Sequence, residues 1–154
     1  MTLRLEKLLA ELCPDGVKYL TLEETCSLIT DGSHFSPAAA EDGFYMPSVK
    51  DMRENGFDFS ECKKISREDY EVLVRNGCKP LVGALLVAKD GSMLKYAFSV
   101  KEEIDIVVLS SIAIFRPRTE IIISDYLGYY LTSEKIKNRV IRDHSSKGGF
   151  LESC

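Results

Sequence analysis

The sequence predicts an α+β fold, a single domain whose curved, mostly antiparallel or mixed sheet is flanked by short helices at both ends. Three observations lead there. β-prone apolar runs concentrate in the middle of the chain, around Leu85-Leu86-Val87-Ala88 and Ile112-Ala113-Ile114-Phe115. Near the two termini, apolar residues recur instead with a helical spacing, so helices hold the ends and strands the middle. Finally, 154 residues with 45% hydrophobic and 29% charged content suit one domain that buries about two-thirds of its unfolded surface. The domain is expected over residues 1–150, with a frayed tail at 151–154.

Leu3, Leu5, Leu8, Leu9 and Leu12 recur near every 3.6 residues until Pro14-Asp15-Gly16 stops the pattern, which predicts a short amphipathic helix. Residues 17–22 read as a strand leading into a helical turn at 23–26, after which Ser27-Leu28-Ile29 extends briefly. From Asp31 to Gly43 the composition turns to Gly, Ser, Pro, Ala and acids, the signature of a surface loop long enough to suspect function. Residues 44–49 read as an edge strand, because Pro47 cannot donate on both sides of a ladder. A polar turn region follows at 50–61.

Ser66 begins a helix: its hydroxyl can cap as Ser-x-x-Asp with Asp69, Glu68 and Asp69 suit the N-terminal dipole, and Asn76-Gly77 closes the segment. Tyr70, Leu73 and Val74 form its inner face. Leu85-Leu86-Val87-Ala88-Lys89 and the alternating run from Leu94 to Val100 flank Asp90-Gly91, which predicts a hairpin. Residues 104–108 and 109–115 supply further strands, the second ended by Arg116-Pro117-Arg118. Ser124 and Ser133 each read as the cap of a closing helix.

The net charge of −4 argues against nucleic acid when taken globally, since a DNA-binding face must be basic. Its distribution says otherwise. Residues 1–62 hold five bases against twelve acids, and residues 63–154 hold fifteen bases against twelve acids. Residues 63–101 and the run Lys135, Lys137, Arg139, Arg142, Lys147 are locally basic, so a basic face is open to the chain.

The five cysteines are scattered, lack a C-x-x-C pair and have two histidines to help them, which argues against a disulfide framework and a structural zinc site. Small buried thiols in a reducing compartment are expected. No run approaches the ~18 apolar residues of a membrane span, and acids interrupt the apolar pattern of the N-terminus as they do not in a signal peptide. A soluble, cytoplasmic protein without membrane partners follows as the expectation.

Asp31-Gly32-Ser33-His34 places a carboxylate, a hydroxyl and an imidazole side by side. Neighbours in sequence rarely meet the geometry of a hydrolytic triad, and no G-x-S-x-G elbow is present, so a turn or a polar contact site reads better than a hydrolase. His34 and His144 lack metal-ligand spacing, and no phosphate-cradling glycine motif or methyltransferase pocket motif occurs. No cofactor or metal is expected. The turn around Lys89, Asp90, Gly91, Ser92, Met93, Leu94 and Lys95 reads either as a solvated hairpin tip or as an insertion at a groove, with Lys89 and Lys95 on phosphates and Ser92 at a base edge.

Taken in order, several segments resemble one target-recognition domain of the type I restriction-modification specificity subunits. The opening Leu8-Leu9-Ala10-Glu11-Leu12-Cys13-Pro14-Asp15-Gly16-Val17 is similar to the start of many such subunits. Asp31-Gly32-Ser33-His34-Phe35-Ser36-Pro37 resembles the family's G-T/S-x-x-x-P turn and is followed by Phe44-Tyr45-Met46-Pro47-Ser48-Val49-Lys50-Asp51-Met52. Ile65-Ser66-Arg67-Glu68-Asp69-Tyr70 resembles its helix start, and the run from Pro80 to Gly91 its strand and turn. Tyr126-Leu127-Gly128-Tyr129-Tyr130-Leu131-Thr132-Ser133 is similar to its closing helix.

The resemblance implies a noncatalytic component that reads double-stranded DNA. In that family a subunit carries two such domains separated by long helices, each reads half of a split target, and the assembly brings methyltransferase (M) and restriction (R) subunits to the site. Here Ala84 stands where the family's strand carries an acidic residue, and one domain without the spacer helix implies a piece of a longer subunit or a half-subunit that pairs with a second one. The residues expected at DNA are Ser33, His34, Lys50, Arg53, Lys89, Ser92 and Lys95, with loops 31–43 and 89–95 facing the groove. The alternative expectation is a protein-interaction module or truncated half-subunit that joins a methyltransferase or another specificity fragment through its terminal helices. Leu3, Leu8, Leu9 and Leu12 at one end, and Ile136, Val140 and Ile141 at the other, would supply the contacts.

Overall fold

A computed structural model of the chain describes residues 2–16, 18–90 and 94–144, with backbone alone for 2, 3, 5, 141, 143 and 144. Helix α1 (Thr2–Leu12) is the expected amphipathic opening. The strand expected next does not form: residues 18–21 take no regular structure and Tyr19 is almost fully exposed. Thr21 explains the difference. Its hydroxyl accepts the Glu24 amide at 3.2 Å while the Glu24 carboxylate accepts the Thr21 amide at 2.7 Å, and this reciprocal cap starts helix α2 (Leu22–Thr25).

The chain then enters strand β1 (Cys26–Asp31), which is longer than its sequence suggested. After the loop, β2 (Phe44–Tyr45) pairs with β5 (Lys64–Ile65), and between them a 3-10 turn (Val49–Asp51) leads into the small hairpin β3 (Met52–Arg53) and β4 (Gly56–Phe57). Helix α3 (Arg67–Arg75) starts as expected at Ser66, whose hydroxyl accepts the Asp69 amide at 3.1 Å, and closes at Gly77 with a φ of +81°. Strands β6 (Leu85–Ala88), β7 (Ala97–Ser99) and β8 (Ile112–Pro117) follow, then α4 (Ser124–Leu131) and α5 (Glu134–His144).

A four-stranded antiparallel sheet in the order β1-β8-β6-β7 organises these elements into an α+β fold. Both of its faces are covered. Leu85, Val87, Ala113 and Phe115 point to one face, where Leu94, Leu127 and Leu131 meet them and Ile136 and Val140 of α5 pack alongside. Leu86, Ala88, Ile112 and Ile114 point to the other, against Met52, Ile106, Val108 and the rings of Tyr45, Phe57 and Phe59. Double burial is why β6 and β8 read as unbroken apolar runs instead of alternating ones. A third cluster seats α3 through Tyr70 and Leu73 on Met46, Ile65 and Val107.

Four further expectations are corrected. Residues 104–108 form no strand although Ile106, Val107 and Val108 are buried, because their amides are satisfied one at a time: Val107 donates to Tyr45 and Val108 to Cys78. The hairpin forms with Leu86 opposite Phe98, yet β7 begins at Ala97 and not at Leu94. Leu94 adopts a φ of +54° and puts a wholly buried side chain into the core, which offsets the ~1 kcal/mol of a left-handed backbone. Strand β8 runs on through Pro117, which pairs with Cys26 beyond the reach of β6, where no ladder donor is required of it. Ser124 and Ser133 precede or open the last helices, but their hydroxyls donate to the carbonyls of Gly83 and Tyr130 and cap neither.

Cys26, Cys62 and Cys78 are buried free thiols and Cys13 is half-buried. Burial, helped by Asp51, pushes the Cys62 thiol up to about 11, and burial also raises Cys26 and Cys78. All three are therefore protonated at neutral pH and poor nucleophiles. Among the described residues no helix is long and apolar enough to cross a membrane. Cys154 and the tail 151–154 lie outside the described residues.

Candidate nucleic-acid interface

Antiparallel pairing sends the C-terminal ends of β1 and β6 to the same end of the sheet, on either side of the start of β8. Asp31 pairs with Ala113, and Ala88 with Ile112. The loops leaving these strands are therefore neighbours in space although ~60 residues apart in the chain. Gly32 donates to the Ile112 carbonyl at 3.1 Å, Ser33 exchanges backbone bonds with Val108 and Ser110, and Lys89 donates to the Ser111 carbonyl at 2.9 Å. Ser111 also accepts the Val49 amide on its hydroxyl at 3.0 Å, which brings the segment 48–53 to the same place. A Cβ on Gly32 would lie 2.2 Å from the Val108 carbonyl oxygen, so glycine is required here for close approach and not for a positive φ.

Each expected DNA contact can now be placed. Lys89 does not reach out: its ammonium lies 2.6 Å from Asp31 Oδ2, and the side chains are only 15% and 16% exposed. His34 is exposed and sets Nε2 3.5 Å from the same Asp31 oxygen. The Ser33 hydroxyl is buried in a local turn, donating to the Phe35 carbonyl at 2.6 Å and accepting the Phe35 amide at 3.1 Å. Since it faces Phe35 and His34 faces Asp31, the nucleophile-to-base contact of a triad is not assembled here.

Lys50 sits exposed on the 3-10 turn, held by Asp51, whose carboxylate accepts the Ser48 amide at 2.8 Å. Arg53 donates to the Lys50 and Met52 carbonyls at 2.8 Å and to Asp58 Oδ2 at 2.8 Å, so much of its guanidinium serves the β3–β4 hairpin. Ser60, donating through its hydroxyl and amide, and then Arg53 hold the Asp58 carboxyl below the usual range. Lys95 is exposed with its ammonium 5.0 Å from the Tyr96 ring. Among the described residues neither Lys50 nor Lys95 forms an ion pair. Ser92 lies outside the described residues.

The fold thus gathers His34, Lys50, Arg53, Lys89 and Lys95 at one end of the sheet, but divides them. His34, Lys50 and Lys95 are presented to solvent, whereas Lys89 and most of Arg53 tie segments together. Ser111 escaped sequence reasoning, and Asp31 was singled out there only for its local cluster and not as the partner of Lys89, because nothing local marks an aspartate and a lysine 58 residues apart as partners. Lys63 escaped it too. It donates to the Ser36 hydroxyl at 2.8 Å and to the Pro37 carbonyl, pinning the far side of the loop. Beside His34, a cavity of about 510 Å³ opens between the loop and α3, with Phe35 and Asn76 in its wall.

Neither a protein-family model nor a curated protein matches the chain, so the resemblance to specificity subunits rests on its motifs.

Proposed function

We propose that the chain is a noncatalytic, cytoplasmic module that reads a half-site in double-stranded DNA, as part of a type I restriction-modification specificity subunit that directs methyltransferase and restriction subunits to their target. One observation carries the reading: exposed His34, Lys50 and Lys95, from three segments far apart in sequence, emerge at one end of the sheet on loops tied to it by backbone bonds. Such an array supplies both kinds of contact that a reader needs. Among the described residues Lys50 and Lys95 are cations without acidic partners, suited to phosphates, and His34 carries donor and acceptor nitrogens suited to a base edge. Lys89 orients the loops and Ser33 shapes the turn.

Titration of duplex DNA at stepped salt concentrations tests this. Binding weakens steeply with salt, and Lys50→Ala and Lys95→Ala each lower affinity alike for all sequences and reduce the salt slope by about 1. A folded protein that ignores duplexes at low salt contradicts the reading. A second reading, a protein-interaction module, is favoured by α1, which exposes Leu8, Leu9 and Leu12. Ile136 and Val140 of α5 pack inward on the core, which leaves α1 as the free terminal helix; the side chains of Leu3 and Ile141 are outside the described set.

A further inference from the structure

We propose that Phe35 is the wedge of the reader: its ring enters the base stack, and the base it displaces is received in the cavity between the loop and α3. The inference rests on the reading of the chain as a binder of duplex DNA. The other phenylalanines described have a place for their rings. Phe44 stacks on Tyr70, Phe57 meets both Phe59 and Phe98, and Phe115 is wholly buried. Phe35 is 66% exposed and meets no other ring and no cation among the described residues.

That exposure is not slack in the loop. His34, Phe35 and Ser36 form an exposed tip between buried Ser33 and buried Pro37. The Ser33 hydroxyl holds both backbone groups of Phe35, and on the far side Lys63 donates to the Ser36 hydroxyl at 2.8 Å and to the Pro37 carbonyl. Binding therefore has little backbone freedom left to remove at the tip, which favours insertion of an apolar side chain between base steps. The cavity of about 510 Å³ supplies the second half. Phe35 lines it with a ring on which a base can stack, Val72 with an apolar side chain, and Asn76 with an exposed carboxamide that no hydrogen bond engages among the described residues. Apolar walls and a donor-acceptor pair at the edge suit a nucleobase. Stacking tolerates every base, so the wedge selects steps that unstack easily, and the choice of base edge stays with His34.

The test titrates the whole chain, at low salt, with two short duplexes of one sequence, the first fully paired and the second carrying a central T·T mismatch. A mismatched base leaves the stack at lower cost, so the wild type should bind the second duplex about tenfold more tightly. Phe35→Ala levels the two affinities, Phe35→Leu keeps most of the preference because an aliphatic wedge also parts a base step, and Asn76→Ala narrows it. The ring is exposed, so the fold survives its loss, and an unchanged Tm verifies this. Equal wild-type affinities, or a preference that survives Phe35→Ala, overturn the inference and leave duplex binding standing. A folded wild type that binds neither duplex overturns both.

Discussion

Lys89 and Asp31 form a half-buried ion pair at 2.6 Å that spans β8 and locks the turn after β6 to the loop after β1. The other Asp31 oxygen, Oδ1, is buried and has no hydrogen-bond partner among the described residues. Removing the lysine therefore leaves a carboxylate with little else to satisfy it. Lys89→Ala should cost about 3 kcal/mol in urea unfolding, and the double variant Lys89→Ala with Asp31→Ala less than the sum of the two single changes. A cost below about 0.5 kcal/mol with full additivity would show that solvent screens the pair.

Gly32 makes the second test. A Cβ there meets the backbone oxygens of Val108 and Leu109 at 2.2 and 2.5 Å, neither of which can yield as a side-chain end can. Gly32→Ala should destabilise by about 3 kcal/mol or more, while Gly56→Ala, with nothing within 4 Å, should stay within about 0.5 kcal/mol. Equal effects in thermal unfolding would refute the close approach.

Acid should loosen a different joint. Lys79 donates to Asp105 at 2.8 Å and to Glu103 at 3.3 Å, and Tyr70 donates to Asp105 at 3.3 Å, tying residues 103–105 to α3. The Lys79 ammonium, ahead of Tyr70, holds the Asp105 carboxyl below its ordinary value. A carboxyl lowered by folding stabilises fully above its unfolded value, about 3.9, and loses that contribution as pH falls through the folded one. The Tm advantage of the wild type over Asp105→Asn should thus be constant near neutrality and shrink below about pH 4. Parallel Tm curves down to pH 2 would contradict this.

These joints also mark what could be read without coordinates. Buried runs such as Ile112-Ala113-Ile114-Phe115 were legible because burial on both faces leaves a continuous apolar signature, and Ser66 was legible because a cap is a local bond. Residues 104–108 misled because apolar content reports burial but not which neighbour takes each amide. Leu94 misled because a left-handed leucine is decided by the core it enters. At the candidate interface, exposed Lys50 and Lys95 followed from local composition. The division between presented and structural cations did not, since Lys89 finds Asp31 only once the order β1-β8-β6 is set.

Selection from a pool of randomised duplexes tests the central claim most directly. The account predicts enrichment of one short motif, a few base pairs long, at low salt, with His34→Ala relaxing preference at one position and Lys50→Ala weakening capture without changing the motif. A folded protein that recovers the pool with no sequence enriched, or recovers no DNA, contradicts it.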